Sequence, residues 1–185
     1  TSKNMDPLNP VSEYHGATMN FQGPDRQKKG GPTQIFEAVW LPKEQEPDDL
    51  AEIPAIMGAC YFVSKWWFMR LSPLRFLRQW GCDEQALSLA SWLAGGSVKH
   101  AKKVRIGHKF LIDQRETQTF GVDPGCITFN KLLVMNSMFP GPVASKLSAA
   151  LLASIDQRES EIARKMYRDL FFLVALEEAK YAALF

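Results

Sequence analysis

The stretch Trp80-Gly81-Cys82-Asp83-Glu84-Gln85, continued by an amphipathic run to Gly95-Gly96 and then by Ile106-Gly107-His108-Lys109-Phe110, decides the reading of this chain. From Asp83 onward, Ala86, Leu87, Leu89, Ala90, Leu93 and Ala94 recur at helical spacing and form one apolar face. Asp83 suits the N-cap or the first turn, where the helix dipole favours a carboxylate. Gly95-Gly96 is a stop, because glycine takes the left-handed backbone that ends a helix. Two adjacent carboxylates thus open a helix, and a lone histidine follows a glycine a short strand later. Neighbouring side chains on a helix diverge, so the two acids are expected to serve different partners.

Working outward, Val98–Ile106 alternates Lys99, Lys103 and Arg105 with Val98, Val104 and Ile106, which predicts a strand with one wet face. Ile53–Val63 is apolar, contains Gly58, and predicts a buried strand entering a short helix over Ser64–Met69. Tyr14–Phe21 and Ile35–Leu41 read as further strands, separated by the basic, breaker-rich loop 23–32; Pro42–Leu50 is an acidic loop. Leu111–Pro124 is polar and flanked by breakers. Beyond residue 125 the pattern is helical, over about 127–138, 143–154 and 158–184, with Ile162, Met166, Leu170, Leu173, Val174 and Tyr181 on one face of the last helix. The fold class is therefore α/β, an α/β body over 1–125 carrying a helical extension over 126–185.

With 185 residues, 46% hydrophobic and 23% charged, the chain can bury a sizeable core as one domain or a large part of one. A net charge of +2 does not by itself argue for nucleic acid or acidic lipid. Cys60, Cys82 and Cys126 form no Cys-x-x-Cys pair and are read as reduced thiols in a cytoplasmic setting. Thr1–Pro10 lacks the apolar core of a signal peptide, and the longest apolar run, Leu170–Leu176, is too short to span a bilayer. No phosphate-binding glycine loop or zinc-protease motif is visible.

Asp83 and Glu84 could divide the work of a site, one holding a sugar or backbone group and the other deprotonating a hydroxyl. Trp80 beside them offers a flat face for a sugar ring. The plainer reading is a helix opened by solvated acids. His108 could ligate a divalent metal, although a lone histidine is more often structural. Gly58-Ala59-Cys60 could let the backbone approach a ligand, or could simply permit close packing. Lys99, Lys102, Lys103, Arg105 and Lys109 could meet a diphosphate or a nucleic-acid backbone, or form a solvated edge strand.

Together these segments resemble the C-terminal half of a family 2-type, GT-A glycosyltransferase catalytic domain, and are most similar to the polypeptide N-acetylgalactosaminyltransferases and their bacterial and phage relatives. Ile53-Pro54-Ala55-Ile56-Met57-Gly58-Ala59-Cys60-Tyr61-Phe62 resembles the strand carrying a small-residue pair before an aromatic. Trp80-Gly81-Cys82-Asp83-Glu84 resembles Trp-Gly-Gly-acid, Trp92-Leu93-Ala94-Gly95-Gly96 the end of the following helix, and Gly107-His108-Lys109-Phe110 the Gly-His-x-Phe motif. The four stand in the family's order and cover about residues 10–125. The resemblance implies a partial GT-A fold with a mixed sheet. It also implies transfer of a sugar from a nucleotide-diphosphate sugar, foremost a UDP-sugar, to a hydroxyl on a protein, a glycan or a modified DNA base.

By the same resemblance, Glu84 matches the catalytic base of inverting relatives, and Asp83 the acid that contacts sugar or acceptor. Trp80 and Gly81 would line the pocket, Gly58 and Ala59 would lie against the donor sugar, and His108 would complete a Mn2+ (or Mg2+) site. Cys82 replaces the second glycine of Trp-Gly-Gly. Leu111 stands where an arginine usually follows Gly-His-x-Phe, so Arg115 is the candidate substitute for that diphosphate contact. No Asp-x-Asp is present, and Asp48-Asp49 has the wrong order to replace it. The nucleotide-binding half is therefore expected before Thr1 or on a partner chain, and the 185 residues alone are expected to be nearly inactive. Sugar, anomeric outcome and acceptor stay open. The alternative is a non-catalytic binding or assembly module in which the acids cap a helix; a third reading is a nucleic-acid binder using Lys99–Lys109.

Overall fold

The computed structural model describes residues 14–21, 35–58, 60–104, 106 and 121–183. Two short strands, β1 (Ala17–Asn20) and β2 (Glu37–Trp40), pair antiparallel with Ala17 opposite Trp40 and Asn20 opposite Glu37. The ladder is continued by Phe36 N–H donating to Asn20 O and Leu41 N–H to Gly16 O. A single antiparallel bridge joins Ala17 to Ala55, and another joins Glu52 to Lys99. Among the described residues the expected mixed sheet is thus one antiparallel pair with two bridges at its margin.

Two expected strands take another form. Ile53 and Ala55 are buried, but from Ile56 the chain leaves the sheet because side chains of a helix take up its N–H groups. The strand expected over 98–106 pairs only near residues 98–100, and Ala101–Val104 is a turn closed by Val104 N–H on Ala101 O. Lys102 and Lys103 reach back to Glu46 and Asp49 in the 43–50 loop, at 2.9 and 3.1 Å, which favours the turn over an extended run.

The helices are α1 (Lys65–Leu71), α2 (Asp83–Leu93), α3 (Pro124–Met138), α4 (Gly141–Ser154), α5 (Gln157–Asp169) and α6 (Phe171–Ala182). Ser64 caps α1 by accepting from Trp67 N–H, as the sequence predicts for a helix starting there. Gly95, at φ +76°, ends α2, and Gly96 N–H donates to Ser91 O. Asp123 and Asp156 cap α3 and α5 through Gly125 N–H and Glu159 N–H.

α3 is the centre of the molecule. It packs on α2, α4, α5 and α6, and Phe129, Leu132, Leu133, Val134 and Met135 are buried in one core with Phe36, Ala86 and Ala90. The helix predicted over 158–184 is two helices, broken at Leu170 (φ −108°, ψ 15°). The break lets both halves lie on α3, burying Ala163 from α5 and Val174 and Tyr181 from α6. A straight helix could not lay both stretches on so short a neighbour. No helix among the described residues is long and apolar enough to cross a membrane.

Candidate active site

Three side chains four residues apart on α2 grip the extended segment 54–58. Glu84 Oε1 accepts from Gly58 N–H at 3.0 Å, Ser88 Oγ accepts from Ile56 N–H at 3.0 Å, and Trp92 Nε1–H donates to Pro54 O at 3.3 Å. The spacing has a geometric cause: four helical residues advance about 6 Å and two extended residues about 6.6 Å. The helix and the segment therefore run antiparallel in matched steps. Ser88 Oγ–H also donates to Glu84 O at 2.6 Å, tying the second step to the first.

Glu84 is the chemical end of this arrangement. It is half-buried, and its pKa is raised, first by burial and then by the charge of Asp83, against the lowering effect of Gly58 N–H. Its own backbone N–H also favours the charged form. A Cβ on Gly58 would stand 2.6 Å from Glu84 Oε1, so only glycine lets the carboxylate sit on the backbone here. Two phenols share its field. Burial and the Glu84 charge push Tyr14 up to about 12, and burial, Asp83 and Glu84 raise Tyr61. Asp83 lies in the first turn of α2, so the first-turn expectation holds and the N-cap one does not.

The loop that delivers α2 is held from below. Gln79, Gly81 and Cys82 all have positive φ, at 51°, 98° and 69°, a conformation that non-glycine residues adopt at a cost. Asn130 of α3 is fully buried and compensates: Oδ1 accepts from Arg78 N–H at 2.7 Å, while Nδ2–H donates to Arg78 O at 2.8 Å and Gly81 O at 3.0 Å. Gln79 Oε1 accepts from Asp123 N–H at 2.8 Å, joining the same loop to the start of α3. Trp80 emerges from it 67% exposed, its ring free for a flat ligand. Cys82 is buried at the N-cap, and burial raises its thiol well above the ordinary value, so it offers no nucleophile.

The structure brings Gly58, Asp83 and Glu84 together and places Trp80 and Gly81 in the loop leading to them. Gly81 faces Ile127, whose Cγ2 would lie 3.3 Å from an added Cβ, so its role is packing and backbone shape rather than lining open space. Ala59, His108 and Arg115 lie outside the described residues. Among those described, no three His, Cys, Asp or Glu side chains converge as a cation requires. Tyr14, Tyr61, Ser88 and Asn130 escaped the sequence reading. A signal existed for Asn130, a polar residue beside the apolar run 132–135 of a helix, where buried amides must find partners.

No family model matches the chain, and no solved structure matches it. It is similar to a Drosophila melanogaster protein named "Putative polypeptide N-acetylgalactosaminyltransferase 13", 27% identical over 111 residues, covering 57% of this chain and 19% of that protein. It is also similar to a Caenorhabditis elegans protein named "Probable N-acetylgalactosaminyltransferase 8", 31% identical over 126 residues, covering 64% of this chain and 28% of that protein. The chain thus spans about a fifth to just over a quarter of the length of these curated relatives. At this low identity the likeness supports a relationship to glycosyltransferases.

Proposed function

We propose that this chain supplies the acceptor side of a glycosyltransferase that moves a sugar from a nucleotide-diphosphate sugar, foremost a UDP-sugar, to a hydroxyl. The observation that carries the reading is the half-buried Glu84 carboxylate, oriented by Gly58 N–H and raised in pKa by burial and Asp83. A carboxylate so placed orients an acceptor hydroxyl and takes its proton as the hydroxyl oxygen bonds to the anomeric carbon. The bond from that carbon to the diphosphate breaks, and the electron pair leaves with the diphosphate. The raised pKa makes the Glu84 carboxylate a better proton acceptor than an exposed glutamate. Asp83 supports that basicity through its charge, and Trp80 offers the sugar ring a stacking face.

The metal belongs to the proposal in the same way. Mn2+ or Mg2+ would be held by His108 with carboxylates from a nucleotide-binding half in the same protein or a partner chain, and would stabilise the departing diphosphate. The similarity to two proteins named as N-acetylgalactosaminyltransferases and the Glu84 geometry support this reading jointly. The test is sugar transfer by the protein as it occurs in its source, compared with its Glu84→Gln variant. Loss of about 10²–10⁴-fold in kcat, with Tm kept, is expected for removal of a general base. Unchanged transfer, or none from the unmodified protein with any UDP-sugar, would leave a binding or assembly module as the better account.

A further inference from the structure

The segment from Cys60 to Trp80 carries Lys65, Arg70, Arg75 and Arg78 and no acidic residue, in a chain whose net charge is only +2. Phe62, just before α1, and Trp66 and Met69 on it are 88%, 64% and 63% exposed, and the three-residue spacing of Trp66 and Met69 sets those two on one face of the helix. The helix does not need that face in order to fold. Its inner face is fixed by buried Leu71 and by Trp67, whose ring would stand 2.7 Å from a Cβ on Gly96. Arg70 lies 5.3 Å from the Trp66 ring centroid, which keeps a cation level with an exposed indole.

We propose that the outer face of α1, with Phe62, Trp66 and Met69 as apolar anchors and Lys65 and Arg70 beside them, docks onto an anionic lipid surface. Charge complementarity selects the occupant: Lys65 and Arg70, in a stretch of sequence without acids, favour an anionic partner, and protruding apolar side chains require one they can enter. An anionic bilayer interface meets both conditions. Rings and aliphatic groups enter at the level where headgroups meet acyl chains, and the cations stay with the phosphates. Single-stranded nucleic acid fits less well, because base stacking uses rings and gains nothing from exposed Met69 or Val63. The other exposed aromatic pair, Phe171 and Phe172, follows Arg168-Asp169 and lacks the one-signed charge. Such docking needs no membrane-crossing helix, and it is independent of the sugar-transfer reading. It would place Tyr61, next to Phe62, and the carboxylates that act on it close to the lipid surface.

The test is co-sedimentation of the protein with phosphatidylcholine vesicles, with and without about 30% phosphatidylserine, at about 0.1 M salt, together with tryptophan emission. Binding to the anionic vesicles with a blue shift, and little binding to phosphatidylcholine alone, is expected. Lys65→Gln with Arg70→Gln should weaken binding by about fivefold per charge, roughly 25-fold for the pair. Phe62→Ser, outside any helix, should weaken it separately and carries the test if the double variant fails to fold. Arg158→Gln with Lys165→Gln removes the same charge from an exposed part of α5 and should leave binding unchanged. Three results would overturn the proposal: no binding to anionic vesicles, equal loss in the α5 variant, or binding to oligothymidylate in place of vesicles that the α1 substitutions abolish.

Discussion

A single backbone N–H sets the character of Glu84. Gly58 N–H holds one carboxylate oxygen while burial and Asp83 make the charged form costly, so the group binds protons more readily than an exposed glutamate. Gly58→Ala separates these effects. The new Cβ would meet Glu84 Oε1, the far end of a flexible side chain, so the carboxylate swings away at a stability cost of about 1 kcal/mol or less. Activity should fall far more, by about 10²-fold, because the base is misplaced. Paired denaturation and transfer assays on this variant check both numbers.

The linkage sign follows from the raised pKa. Its contribution to stability is fully present below the ordinary glutamate value and is lost as pH rises through the raised value. Glu84→Gln removes that loss. Urea denaturation of the two proteins should therefore show the variant gaining on the parent as pH rises from below the ordinary glutamate value through the raised one. A variant that loses ground over that range would mean that the carboxylate is stabilised when charged.

At the scale of elements, α2 and its loop are legible in the sequence and their supports are not. The periodic apolar face, the acids of the first turn and the Gly95-Gly96 stop are local signals, and each appears in place. The strand expected over Ile53–Val63 fails because its N–H partners, Ser88 and Glu84, stand 32 and 26 residues away in sequence. The strand expected over Val98–Ile106 fails for a similar reason, since Glu46 and Asp49 draw Lys102 and Lys103 into a turn. Alternation records only which residues are apolar, not where a distant partner waits. Ser88→Ala tests the antiparallel grip: leaving Ile56 N–H unpaired should cost about 1–2 kcal/mol in urea denaturation, while Ser88→Thr should keep most of it. The tight α3–α5 crossing is as specific. A Cβ at Gly125 would stand 2.3 Å from Ile162 Cγ2 and 2.7 Å from its Cβ, so Gly125→Ala should lower stability by about 1–3 kcal/mol.

At the scale of the molecule, the helices after residue 125 and the site before it depend on one another. Asn130 lies on the central helix, yet its amide closes the 78–81 loop from which Trp80 and the acids emerge. Lys131, also buried, reaches Ile35 O and the Glu37 carboxylate, tying the same helix to β2. The helical character of 126–185 is plain in the sequence, whereas the break at Leu170 in its last predicted helix is not. That α3 is the hub is not, because its burial on nearly every side depends on four other helices arriving. Asn130→Leu should strip partners from Arg78 and Gly81, cost about 2–4 kcal/mol, and free the Trp80 loop to exchange amide protons faster. Hydrogen exchange localised to 78–82 is the readout that separates this from general core loosening.

The account rests on the state of one carboxyl group, and a pH titration of the Glu84 side-chain carbon by NMR, in the parent protein and in Asp83→Asn, measures it most directly. The predicted result is a midpoint above the ordinary glutamate value in the parent and a lower midpoint in the variant. A parent midpoint at or below the ordinary value, unmoved by loss of Asp83, would contradict the assignment of Glu84 as the poised base.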